Sequence, residues 1–151
     1  IATFSVEFLL RLLPENAPMK SIYTFSYHYF ISLDSSSTKD ITHYPIFFLI
    51  HCSHLLGYTI SGDYSTETPY LNIQSGGYSP FPETGSILTD ESCAVINILR
   101  KIDDIKQLQS LNLTTSRIMR NEILDWLIAF LQSHTQHFSN LRSLSILREI
   151  L

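Results

Sequence analysis

Arg117 and Arg120 stand three residues apart in "TTSRIMRNEILDWLIAFLQ". That spacing puts both guanidinium groups on one side of a helix. They fall near the start of that helix, where free main-chain N–H groups add positive potential. Arg142 opens the last helical stretch, and the fold-back that buries Leu144 and Leu147 can bring it near the other two. Three such bases offer bidentate recognition of a carboxylate or phosphate, in an acidic peptide or in DNA. Leu113, Ile118 or Phe138 would then line an apolar pocket beside them. The plainer reading is three solvated bases on a helix face, because single surface bases are ordinary.

Other residues that could do chemistry have simpler explanations. His51, Cys52 and His54 lie close together on a predicted helix, and the two histidines share a face, as a metal site requires. No Asp or Glu completes the set at the same spacing, so ordinary core or surface histidines are expected and no metal is assigned. His134 and His137 have the same spacing and read as punctuation at a helix end, where imidazolium suits the dipole. Asp103 and Asp104 read as helix-start acids rather than as a carboxylate pair. "SGGY" (75–78) is a glycine pair that a hairpin turn needing positive φ explains more cheaply than phosphate binding. There is no G-x-S-x-G, H-E-x-x-H or P-loop, and no cofactor is implied. An enzyme is not expected.

The elements that must position these residues are mostly helical. Residues 2–13 carry Phe4, Phe8, Leu9, Leu12 and Leu13 at helical spacing, and Pro14 ends the run. A second helix opens near Pro18 and runs through Ile22, Phe25, Tyr29, Phe30 and Leu33. "DSSSTKD" (34–40) is a loop from which Ser37 or Thr38 can cap the next helix. That helix, expected over about 38–56, is apolar on nearly every side and is therefore central. Pro45 either kinks it or marks its true start, and Gly57 fits its C-terminal cap.

Residues 57–88 hold all five glycines. "YLNIQ" alternates, "SGG" turns and "YSPF" leaves, which predicts a hairpin over about 69–80. Helices follow at 90–102, capped by Thr89 or Asp90, then at 103–111, 114–138 and the C-terminal stretch. Ile118, Ile123, Leu127, Phe130 and Leu131 should form one apolar stripe on the long helix. Leu141, Leu144, Leu147 and Leu151 keep step in the last one. The fold class is an all-α, bundle-like domain with a small inserted β-hairpin.

The chain has 151 residues, enough for one domain with a sizeable core. It begins at Ile1 and runs directly into a helical pattern, so it reads as a fragment. "IATFSVEFLLRLLPE" lacks the basic start and cleavage site of a signal peptide. The longest apolar run, "YPIFFLI", is too short to span a bilayer. A cytoplasmic location is expected, with Cys52 and Cys93 as buried thiols. The net charge of −4 makes the whole chain a poor electrostatic partner for nucleic acid. Residues 1–93 hold three bases against nine acids; residues 94–151 hold seven bases against five acids. An anion is better sought in the C-terminal part.

The order of elements resembles the C-terminal domain of the bacterial recombination-mediator protein RecO. The resemblance rests on "FLLRLLPENAP" followed by an aromatic-rich helix, the apolar helix ending "LLGY", and "LNIQSGGYSPFPE". The ending "HTQHFSNLRSLSILREIL" is its sharpest element. It covers nearly the whole chain and is similar to forms from Bacteroidetes-type bacteria. In many relatives the insertion after "LLG" binds zinc through four cysteines. Here Tyr58 to Glu83 contains no cysteine or histidine, so a hairpin stapled by its own aromatic residues is expected instead. The resemblance implies a non-enzymatic role in DNA repair and recombination: annealing of single strands, and loading of recombinase with RecR and single-stranded-DNA-binding protein. It also implies an N-terminal OB-fold, absent from this chain, as the main site for single-stranded DNA. In some relatives the helical domain receives the acidic, phenylalanine-ended tail of the single-stranded-DNA-binding protein.

Two other readings stand beside this one. A helical protein–protein interaction domain unrelated to repair fits the same elements. A small enzyme or metal protein using His51 and His54 would be recognised by metal analysis. The residues upstream of Ile1 would separate the first two readings.

Overall fold

Proline sets two of the helix boundaries. Helix α1 (Ala2–Leu12) stops as Leu13, the residue before Pro14, turns to extended geometry. Helix α2 (Lys20–Ser35) follows. Helix α3 (Tyr44–Leu55) begins with Pro45 in its first turn, where no N–H is missed. Of the two roles open to Pro45, it takes that of the start. The helix is thus shorter than the expected 38–56. The structure, a computed structural model, describes residues 1–15, 18–37, 41–84, 88–136, 138 and 140–151. The proposed cap at Thr38 lies outside them, as does His137.

After α3 come strands β1 (Tyr70–Asn72) and β2 (Gly77–Ser79), then α4 (Asp90–Leu99), α5 (Ile105–Ser110), α6 (Arg117–His134) and α7 (Leu144–Ile150). The all-α class with a small hairpin is what the chain adopts. Three caps follow from sequence. Thr89 accepts the Ser92 N–H, Asp104 the Lys106 N–H, and Ser116 the Met119 N–H. Asp104 is thereby a helix-start acid.

Helix α3 is the hub. Every residue from Tyr44 to Ile50 is buried, and α1, α2 and α6 pack around it. Phe48 sits among aromatic rings from two helices: Phe8 of α1 at 6.0 Å, and Phe25 and Tyr29 of α2 at 5.7 and 4.4 Å. Trp126 and Phe130 stack on α6 at 5.4 Å. The hydroxyl of fully buried Tyr44 is satisfied by Ser32, Ser36 and Gln109, which ties α3 to α2 and α5.

Helix α3 ends on Gly57, whose φ of +91° allows two reversing bonds, Tyr58 N–H to Ser53 O and Gly57 N–H to His54 O. The hairpin pairs Tyr70 with Ser79, Leu71 with Tyr78 and Asn72 with Gly77. Its two glycines have different reasons. Gly76 has positive φ, as a turn glycine should. Gly77 does not; it is a glycine because Ser61 bridges alongside, leaving no room for a Cβ.

One stripe residue departs from expectation. Ile123, Leu127, Phe130 and Leu131 are buried, but Ile118 is 72% exposed. It lies in the first turn of α6, and the buried residues of that helix begin only at Ile123.

Candidate partner-binding site

Arg117 and Arg120 are brought together, and both reach the C-terminal end of α7. Arg117 donates through Nε and Nη2 to the Arg148 carbonyl at 3.0 and 2.7 Å. Arg120 donates through Nη1 to the Thr115 carbonyl at 2.6 Å and to Thr115 Oγ1 at 3.0 Å, and through Nη2 to the main-chain oxygen of Leu151. The two cations feel each other: burial first, then Arg117, lowers the Arg120 pKa. Burial, with Arg120 nearby, also pushes His43 down to about 4, so His43 is neutral and meets Thr115 Oγ1 at 2.7 Å.

Arg142 is not part of this group. It sits at the opposite end of α7, and seven helical residues span about 10 Å. Its N–H is taken by Glu7 at 2.9 Å, and its side chain is exposed. The suggested apolar lining also disperses. Phe138 is in the core against Phe8, Ile118 faces solvent, and Leu113 is half-buried.

Sequence spacing did not point to a second basic site. A cleft of about 300 Å³ between α3, α6 and the segment that follows α4 has Ile50, Ile60, Leu127 and Phe130 among its apolar walls. Arg100 and Lys101 stand on its rim, and both pair with Asp63. Arg100 also donates to the carbonyls of Ile60 and Gly62, so it braces the segment leading to the hairpin. Only the juxtaposition of residues about forty apart reveals this role, and no local pattern carries it.

His51 and His54 have other partners. His51 Nε2 meets the Leu99 carbonyl at 3.2 Å, and His54 Nδ1 meets Thr59 Oγ1 at 3.1 Å. Among the described residues, no group of three or more His, Cys, Asp or Glu could hold a metal ion. Both cysteines are free and buried. Among the described residues, no helix is long and apolar enough to cross a membrane.

The family model described as "Recombination protein O C terminal" matches residues 1–145. The chain belongs to this RecO C-terminal family. The DNA repair protein RecO of Phocaeicola vulgatus is 28% identical over 152 residues, covering 99% of this chain. The chain spans about six-tenths, 61%, of that curated relative's length. No solved structure matches it.

As a RecO C-terminal domain without cysteines in its insertion, the chain does not fit thiolate-bound zinc there. Side chains and main chain hold the hairpin instead. Glu83 accepts the Gln74 and Ser75 N–H groups at 2.9 and 3.0 Å, closing the turn. Asn72 bridges to Phe81 O and from Glu83 N–H. His134 meets the Ile73 carbonyl at 2.7 Å, and the Tyr78 hydroxyl donates to Cys93 O at 2.7 Å, docking the hairpin on α6 and α4. Tyr64 packs edge-on to Tyr78. Of the aromatic residues expected to staple the hairpin, Tyr78 packs inward but Phe81 is 76% exposed, and polar clasps tie the turn.

Proposed function

We propose that this domain is the helical scaffold of a RecO-type recombination mediator, a non-enzymatic component of DNA repair. The observation that carries this reading is the family match across residues 1–145. The name of the Phocaeicola vulgatus relative, DNA repair protein RecO, supports it. In this reading the longer protein acts in the cytoplasm. It anneals complementary strands and loads recombinase, together with RecR, onto strands coated by single-stranded-DNA-binding protein. Single-stranded DNA is met mainly through an N-terminal OB-fold of the longer protein. The net charge of −4 here supports that division, since backbone affinity comes mostly from phosphate neutralisation.

The domain's own part is to receive the acidic, aromatic-ended tail of the single-stranded-DNA-binding protein at Arg117 and Arg120. Arg142 is an outlying contributor. Two adjacent guanidinium groups suit carboxylates as bidentate donors. Each contact contributes about 1.5–3 kcal/mol where shielded, and much less where exposed.

The whole-protein test is annealing of complementary oligonucleotides coated with the binding protein, alongside capture of RecR. A full-length protein that does neither overturns the mediator reading. For the site, Arg117→Ala with Arg120→Ala should weaken tail-peptide binding at least tenfold in calorimetry. Unchanged affinity moves the site elsewhere. The pair also holds α7, so the double variant should melt at a lower temperature, and Arg142→Ala should not.

A further inference from the structure

We propose that the Pro80–Phe81–Pro82 segment after the hairpin is a docking knob, which seats in an apolar pocket ringed by lysines or arginines on a partner protein. The inference goes beyond the mediator reading and uses a different surface from the arginine pair. His134, which meets the hairpin, and the Arg117–Arg120 pair lie at opposite ends of α6, whose 18 residues span about 27 Å.

The first support is exposure without a packing role. Phe81 is 76% exposed, and Pro80 and Pro82 beside it are exposed too. The chain has nine phenylalanines, and the others are all buried or half-buried. The hairpin already has its own inward anchors in Leu71 and Tyr78. Three consecutive apolar side chains left in solvent add nothing to folding and mark a surface with a use.

The second support is that the knob is held still. The Phe81 N–H donates to Ser79 Oγ at 3.3 Å, and its carbonyl accepts from Asn72 Nδ2 at 2.9 Å. Asn72 Oδ1 takes the Glu83 N–H at 3.1 Å, two residues further on. Pro80 and Pro82 fix φ on either side. An aromatic ring on a main chain already fixed binds without the entropy loss of ordering a loop, which is the property of an interface anchor.

The third support is the sign of the surroundings. Residues 57–99 hold five acids, Asp63, Glu67, Glu83, Asp90 and Glu91, and no lysine, arginine or histidine. Arg100 and Lys101 neutralise Asp63 from outside this stretch. Among the described residues, the other four carboxylates form no ion pair. An apolar knob in an acidic field selects a basic pocket. The same field repels the acidic tail assigned to Arg117 and Arg120, so the two surfaces take different partners.

The test uses the longer protein that carries this domain. Phe81 is replaced by photoreactive p-benzoylphenylalanine, the protein is illuminated in its own cells, and the adduct is mapped by mass spectrometry. The partner found is then purified and titrated by calorimetry against the wild type, Phe81→Ser, Phe81→Trp, and Glu67→Gln with Glu91→Gln. The mapped contact should be an apolar pocket flanked by lysine or arginine. Phe81→Ser should weaken binding about tenfold or more, and Phe81→Trp should retain it. The glutamine variant should flatten the salt dependence. All three positions are exposed, so the melting temperatures should stay at the wild-type value. An adduct within the longer protein itself, or a lower melting temperature on Phe81→Ser, would mean that its own chain covers Phe81, and overturns the proposal. Unchanged affinity on Phe81→Ser, an acidic contact face or the lack of any discrete adduct overturns it equally.

Discussion

Glu7 and Ser143 join the two ends of the chain. The Glu7 carboxylate, on the first helix, accepts the Ser143 N–H at 2.8 Å and its hydroxyl at 2.5 Å, and also the Arg142 N–H. It supplies from 136 residues away the N-terminal cap that α7 does not get from its own Ser143 side chain. The Ser143 hydroxyl first, and then these N–H groups, hold the Glu7 carboxyl below its ordinary value despite partial burial.

Replacing Glu7 with Gln should therefore cost about 1–2 kcal/mol, given the worth of hydrogen bonds to a charged group. The contribution is present at neutral pH, where the group is ionised in both states. It is lost as pH falls from about the unfolded value of 4.5 through the lowered folded value. Denaturant titrations of the wild type and Glu7→Gln at pH 7 and pH 3 check this. A stability difference that persists undiminished at the lower pH contradicts it.

The glycines make a ranked prediction. Gly57→Ala meets open space and pays only for positive φ, about 1–2 kcal/mol. Gly77→Ala drives a methyl into Ser61, with the Ser61 carbonyl 2.7 Å from the new Cβ. Overpacking of this kind costs about 1–3 kcal/mol, and here the neighbour includes rigid backbone, so the upper end applies. Thermal melts should place Gly77→Ala lower than Gly57→Ala. The reverse order would mean that the Ser61 bridge yields freely.

The hairpin should be indifferent to metal. Incubation with a strong chelator is expected to leave the melting temperature unchanged, and elemental analysis to find no stoichiometric zinc. Asn72→Ala should destabilise by about 1–3 kcal/mol, because it strands the Phe81 carbonyl and the Glu83 N–H in a partly buried site. A chelator-induced drop in melting temperature would refute the clasp as the device that holds the turn.

This domain by itself should bind single-stranded DNA weakly. Ten bases face fourteen acids, and Arg100, Lys101 and Arg148 are paired with carboxylates. An oligonucleotide titration at two salt concentrations should show low affinity and a shallow slope. Tight binding with a steep salt dependence would contradict it.

What the sequence revealed is what local physics controls. Pro14, Gly57, Thr89 and Asp104 act through their own or adjacent main chain, and each ends or starts a helix as its chemistry dictates. The apolar run at 44–50 announced its burial because no side of it is polar. The candidate site was half legible. Arg117 and Arg120 share a face by spacing alone, but spacing says nothing of what comes to meet them. Their partners, Arg148 and Leu151, are 31 residues away. The fold-back of α7 suggests Arg142 as a third member, yet the length of α7 keeps it at the far end. Ile118 fitted the period of the stripe but lies in the first turn of α6, ahead of that helix's buried residues.

The burial of α3 on every side has a consequence outside the native state. "IFFLI", residues 46–50, holds no charge, favours extended structure and is concealed only by the surrounding helices. Once released it matches the short, uncharged, β-prone segments that stack into cross-β assemblies. Pro45, just before the segment, interrupts such stacking at that edge. Variants that loosen α1, α2 or α6 should therefore lose soluble yield faster than their melting temperatures alone suggest.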